Sequence, residues 1–166
     1  MDLHPIFVHF PIALLTVYSL MEIFSFKKLV QKEYWFYVKF FFLIIGILGA
    51  FAALQTGDMA EDNYEGGSLE NVIETHKAFA ISTTYIFGAL ALAYLIALAE
   101  KQPLLKNNAI FGYITKLKNI LLNRYISFLL ALAGLVCISI TGALGGAIVY
   151  GPDADPFVSF VYRFFF

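Results

Sequence analysis

The chain has 166 residues, 60% of them hydrophobic, 17% aromatic and only 14% charged, with a mean hydropathy of +0.77. A soluble domain of this size needs far more polar surface, so the composition is that of an integral membrane protein. The formal net charge is −1 and the single cysteine is Cys137, which excludes an intrachain disulfide framework or thiolate cluster and gives no reason to expect a nucleic-acid partner.

Asp2 precedes the first apolar run, no Lys or Arg does, and no small-residue cleavage site follows it, so this run is expected to be retained rather than removed as a signal. Four segments, at about 5–26, 34–54, 75–99 and 125–150, are each long enough to span roughly 30 Å of hydrocarbon. Pro5 suits the first helical position, where its missing N–H costs nothing. Pro11 falls within the first two turns and frees a carbonyl that neighbouring helices must satisfy. Glu22 and Lys39 lie about one turn from the ends of the first and second segments, where they are expected to pair; a proton relay through Glu22 is the sharper alternative.

The loops alternate in charge. Lys27, Lys28 and Lys32 occupy the first, Asp58, Glu61, Asp62, Glu65, Glu70 and Glu74 the second, and Lys101, Lys106, Lys116, Lys118 and Arg124 the third. The positive-inside rule then places both termini outside. In the third loop Ile110, Phe111, Ile114, Leu117 and Leu121 recur at helical spacing with Lys116 and Lys118 on another face, which predicts a helix on the cytoplasmic membrane surface. In the fourth segment Gly142 and Gly146 form a small-xxx-small pair, and Gly46 and Ala50 are a weaker version in the second. After Pro152, Phe157, Phe160, Val161 and Phe164 predict one apolar helical face on a tail too short to span. The expected fold is all-α: a multi-pass four-helix bundle over 1–151, N-out and C-out in a bacterial inner membrane, with a cytoplasmic interfacial helix and an outer aromatic tail at 152–166.

The chain has three histidines, and imidazole is costly in hydrocarbon. His4 and His9 open the first segment and His76 opens the third, at one expected depth. His9 shares a helical face with Ala13 and Thr16, and His76 with Ala80 and Thr83. Small residues below a histidine predict a face turned toward other helices. His9 and His76 are therefore candidate axial ligands of a b-type haem, with His4 as substitute ligand or propionate partner and Gly142, Gly145 and Gly146 giving room for the macrocycle. The same histidines with Asp58 suit a divalent metal, and an outer histidine suits proton or quinone chemistry. The plainer readings are a helix cap at His4, a solvated first turn at His76, and a solvated acidic loop that otherwise attracts a basic partner such as a soluble cytochrome.

His4-Pro5 with Val8-His9-Phe10-Pro11-Ile12-Ala13-Leu14-Leu15, Thr56-Gly57-Asp58, His76, and Thr141-Gly142-Ala143-Leu144-Gly145-Gly146 before Val149-Tyr150 together resemble a bacterial family of four-helix membrane proteins catalogued as a domain of unknown function. The resemblance covers essentially the whole chain, leaves the aromatic tail after Pro156 outside its pattern, and implies a redox setting beside Rieske iron–sulfur or cytochrome proteins. The chain has no Rieske ligand pairs, so such a centre would belong to a partner.

The expected function is a membrane redox subunit that holds haem b near the outer face and passes electrons within or beside a respiratory complex, positioning the cofactor rather than acting as an enzyme alone. A cofactor-free structural subunit and a small proton- or metal-linked transporter are the alternatives. The absence of an inverted repeat weighs against the last.

Overall fold

A computed structural model describes residues 4–24, 31–61, 67, 69–102 and 109–166. These residues form six helices and no strand: α1 (His4–Ile23), α2 (Glu33–Glu61), α3 (Glu70–Ala99), α4 (Ala109–Leu121), α5 (Arg124–Tyr150) and α6 (Pro156–Phe165). Local chemistry sets several boundaries. Asn123 caps α5 by accepting from Tyr125 N at 3.0 Å, and Gly151 ends it at φ 90°, a conformation that costs glycine little. Asp155 accepts from Phe157 N and Val158 N to start α6, with Pro156 in the first turn.

Helices α2, α3 and α5 are long and apolar enough to cross a membrane; the apolar stretch of α1, Phe7–Ile23, is shorter. Two boundaries differ from expectation. α2 continues through Thr56-Gly57-Asp58 to Glu61, and α3 begins at Glu70 rather than near 75. A single glycine costs a helix about 1 kcal/mol, too little to stop one that is already long and packed.

α1 packs on α2 and α5, and α3 packs on the same two helices. The close approaches run through glycines. A Cβ on Gly46 would lie 2.6 Å from Leu15 Cδ2, one on Gly49 would lie 3.2 Å from Pro11 Cδ, and one on Gly134 would lie 2.5 Å from Phe87 Cζ. The expected Gly142/Gly146 pair divides: Gly146 receives Val158 of α6 at 3.2 Å, whereas nothing lies within 4 Å of a Cβ on Gly142. Pro11, Leu15, Tyr18 and Ser19 form the buried stripe of α1, and the core continues through Leu43, Ile47, Phe87, Leu90, Tyr94 and Ile138.

One end of the assembly is held by charge. Glu22 and Lys39 pair at 2.7 Å, as their placement predicts, with side chains only 10% and 14% exposed. Ser127 of α5 donates to the second Glu22 oxygen at 2.6 Å, and Lys39 Nζ lies 5.9 Å from the ring centre of Tyr94 on α3. Four helices therefore meet at one satisfied carboxylate.

The helix predicted from the third loop exists as α4, but its faces are arranged differently. Lys118 is buried against the bundle, donating to Glu100 Oε2 at 2.6 Å, while Ile114 and Leu117 are exposed. The carboxylate at the end of α3 outweighs the apolar periodicity. In α6, Phe157, Phe160 and Phe164 face outward as expected, but Val161 turns inward with Val158 onto Ala143, Leu144 and Ala147.

Replacing Lys39 with Met strands the Glu22 carboxylate and is expected to cost about 3–5 kcal/mol of unfolding free energy in micelles. The double change of Glu22 and Lys39 to Met should recover most of that loss; equal losses for the single and double variants would refute a paired role. Gly134→Ala should destabilise, because overpacking a fully buried ring costs about 1–3 kcal/mol against a helix-propensity gain of about 1 kcal/mol. Gly142→Ala, which meets no neighbour, should be neutral or stabilising in the same assay.

Candidate functional site

The inner stripe of α1 carries one ionisable residue at each end. His4 and Glu22 are eighteen residues apart, five whole helical turns, and so lie on the same face. The same interval separates Lys39 from Gly57 in α2, His76 from Tyr94 in α3, and Ser127 from Gly145 in α5. Each of these four helices therefore contributes one residue to the charged layer and one to a second layer about 27 Å away along the helix axes. The second layer consists of two histidines and two glycines.

Both imidazoles are held at Nδ1. His4 Nδ1 is hydrogen-bonded to Thr56 Oγ1 at 3.1 Å, and the same hydroxyl lies 3.0 Å from Ala52 O of its own helix. His76 Nδ1 lies 2.9 Å from the Thr141 carbonyl oxygen, which can only accept. In its neutral form the His76 ring thus carries its hydrogen on Nδ1. The glycines make room for the rings. A Cβ on Gly57 would meet His4 Cε1 at 3.1 Å, and one on Gly145 would meet His76 Cε1 at 3.2 Å. Each Thr-Gly element therefore supplies a hydrogen-bond partner for one histidine and, directly or one turn later, the space beside it.

The two rings face one another across the bundle, with centroids 6.4 Å apart and planes at 84°. Edge-to-face aromatic contacts span this distance without a ligand. Two imidazoles sharing one metal atom at about 2.0–2.1 Å each also place their centroids roughly 6 Å apart.

His9 does not join this pair. It lies five residues beyond His4, roughly 140° around the helix, and its side chain is exposed with Phe10 and Ala13. The face carrying Ala13, expected to turn toward other helices, faces outward because Leu15 and Pro11 are the residues drawn against Gly46 and Gly49. His76, Ala80 and Thr83 do turn toward the bundle, with Thr83 buried. Gly145 touches the His76 ring, Gly146 receives α6, and Gly142 borders open space.

Asp58 pairs with Lys77 at 2.9 Å, so the acidic stretch has a counter-charge from the residue beside His76. Among the described residues no group of three or more His, Cys, Asp or Glu side chains could hold a metal ion, and a carboxylate–imidazole centre at Asp58 has no such ligand set. Sequence reasoning missed Thr56, Gly57 and the Thr141 carbonyl as partners of the histidines. The eighteen-residue interval between His4 and Glu22 was the signal that selects His4 over His9.

The chain belongs to the DUF2231 family, described as predicted membrane proteins, whose model matches residues 1–153. The match ends before α6, which agrees with an aromatic tail outside the family pattern. No curated protein and no solved structure gives a significant match to the chain.

Side-chain nitrogen NMR should find the proton of the neutral His76 ring on Nδ1 rather than on Nε2. Thr56→Val should shift the His4 signals and leave those of His76 in place; a protonated Nε2 in His76 would contradict the hydrogen bond to Thr141.

Proposed function

We propose, from membership in a family of membrane proteins and from the paired histidines, that this chain is a redox subunit holding one b-type haem between His4 and His76. The observation that carries the reading is the combination of two imidazoles with centroids 6.4 Å apart and a hydrogen bond at Nδ1 of each. His9, the ligand expected from the first motif, is the competing partner for His76.

In this reading α1, α2, α3 and α5 cross a bacterial inner membrane as a four-helix bundle. The lysine-rich loops lie on the cytoplasmic side and the histidine layer on the outer side. α4, with Tyr113, Ile114, Leu117 and Ile120 exposed, rests at the cytoplasmic interface, and the phenylalanine face of α6 enters the outer one. A bound haem supplies a one-electron carrier. The protein's own residues do the positioning. Thr56 and Thr141 fix the ring orientations, Gly57 and Gly145 clear the space beside them, and the open flank at Gly142 leaves room for a flat group. The acidic residues of the second loop would steer a basic soluble carrier, such as a cytochrome, or a Rieske partner toward this end. A cofactor-free packing subunit is the second reading, favoured by the outward-facing Phe160 and Phe164 of α6.

The test is a dithionite-reduced minus oxidised visible spectrum of protein made with ample haem. A sharp α-band with about one haem per chain is expected for bis-histidine ligation. His4→Ala and His76→Ala should each remove it while His9→Ala retains it. Loss in His9→Ala with retention in His4→Ala would transfer the ligand role to His9, and a flat spectrum in the unaltered protein would leave the packing reading.

A further inference from the structure

The opposite end of the molecule carries a different feature. At the start of α2 lies a concavity of about 330 Å³ whose walls include Lys32, Glu33, Trp35, Phe36, Lys39 and Lys101. Its charge is unbalanced. Lys39 is neutralised by Glu22, and Lys101 stands 3.9 Å from Glu33, while Lys32 forms no ion pair among the described residues. Lys101 is held in place by donating to Tyr37 Oη at 3.0 Å, and that bond pushes its ammonium pKa above the ordinary lysine value. It also lies 5.7 Å from the Phe36 ring centre and 5.1 Å from that of Tyr37. Trp35 adds a buried indole N–H that has no hydrogen-bond partner among the described residues. The first turn of α2 contributes backbone N–H groups and the positive end of a 29-residue helix.

The surroundings say what kind of anion fits. Tyr34, Tyr37, Phe41 and Leu48 are exposed along one side of α2, so an apolar track leads away from the cationic pocket into the depth of a spanning helix. A small soluble anion uses only the pocket. A molecule with an anionic head and acyl chains uses both, and basic pockets between membrane helices are established headgroup sites.

We propose that this concavity binds the phosphate headgroup of an anionic phospholipid, with Lys32 and Lys101 as its contacts, the Trp35 ring in its wall and the exposed face of α2 as the bed for its chains. Lys39 lines the pocket but is held by Glu22, so it shapes the site without being available as a free cation. Inorganic phosphate shares the headgroup chemistry and lacks the chains, which separates the two sources.

Trp35 is the chain's single tryptophan, so its fluorescence reports on this site in the unaltered protein. In zwitterionic phosphatidylcholine nanodiscs, a low mole fraction of acyl-brominated phosphatidylglycerol should quench Trp35 about fivefold or more effectively than brominated phosphatidylcholine, the preference that one lysine near an anionic lipid supplies. Lys32→Gln with Lys101→Gln should abolish that difference, and Lys32→Arg with Lys101→Arg should restore it. Equal quenching by the two lipids, or a preference that survives the glutamine pair, overturns the proposal. In micelles, displacement of brominated phosphatidylglycerol by inorganic phosphate at equal concentration would identify a free-anion site and also overturn the lipid assignment. Should the glutamine pair fail to fold, the quenching comparison in the unaltered protein decides alone.

Discussion

The contact of Leu15 with Gly46 sets the rotation of α1, and most of the molecule's chemistry depends on that rotation. With no side chain at Gly46, and with Pro11 seated against Gly49, α1 lies on α2 with Pro11, Leu15, Tyr18 and Ser19 inward. Between apolar helices no hydrophobic force selects the facing sides in lipid; small residues that permit close backbone approach do so instead. Five turns separate His4 from Glu22, so one contact near mid-helix turns both toward the bundle. His9, well off that line, is turned out by the same geometry.

The eighteen-residue interval recurs in α2, α3 and α5 because the same constraint acts on them. Polar groups within apolar surroundings must find partners, and a rod-like helix can offer them on one face only at whole numbers of turns. An interval of about 27 Å is close to the hydrocarbon thickness of a bilayer, so both polar layers can lie near its boundaries with only uncharged side chains in the buried core between them. Two buried hydroxyls in that interval bond within their own helices, Ser19 donating to Leu15 O and Thr84 to Ala80 O.

Much of this was legible in the sequence. Apolar length identified the long helices, and the opposite charges of Glu22 and Lys39 near neighbouring segment ends predicted their pairing. Local patterns misled where a partner from another element intervened. The three-four spacing around His9 pointed inward because the pattern names a face without saying which neighbour claims it. Lys118 looked solvent-facing until Glu100 gave it a buried partner, and Val161 looked outward until Gly146 and its neighbours gave α6 a seat. Asp58 looked uncompensated because Lys77 lies in a different helix. Each miss is a long-range pairing, and helical periodicity is blind to those.

The two polar layers differ in what they leave to do. At the charged end, Glu22 receives Lys39 and Ser127 on its two oxygens, an arrangement that completes itself. At the histidine end each ring is hydrogen-bonded at Nδ1 to a neighbouring helix and lies against a glycine, with the two ring centroids 6.4 Å apart. The ion-pair layer ties the four helices at one end, and the histidine hydrogen bonds tie α1 to α2 and α3 to α5 at the other.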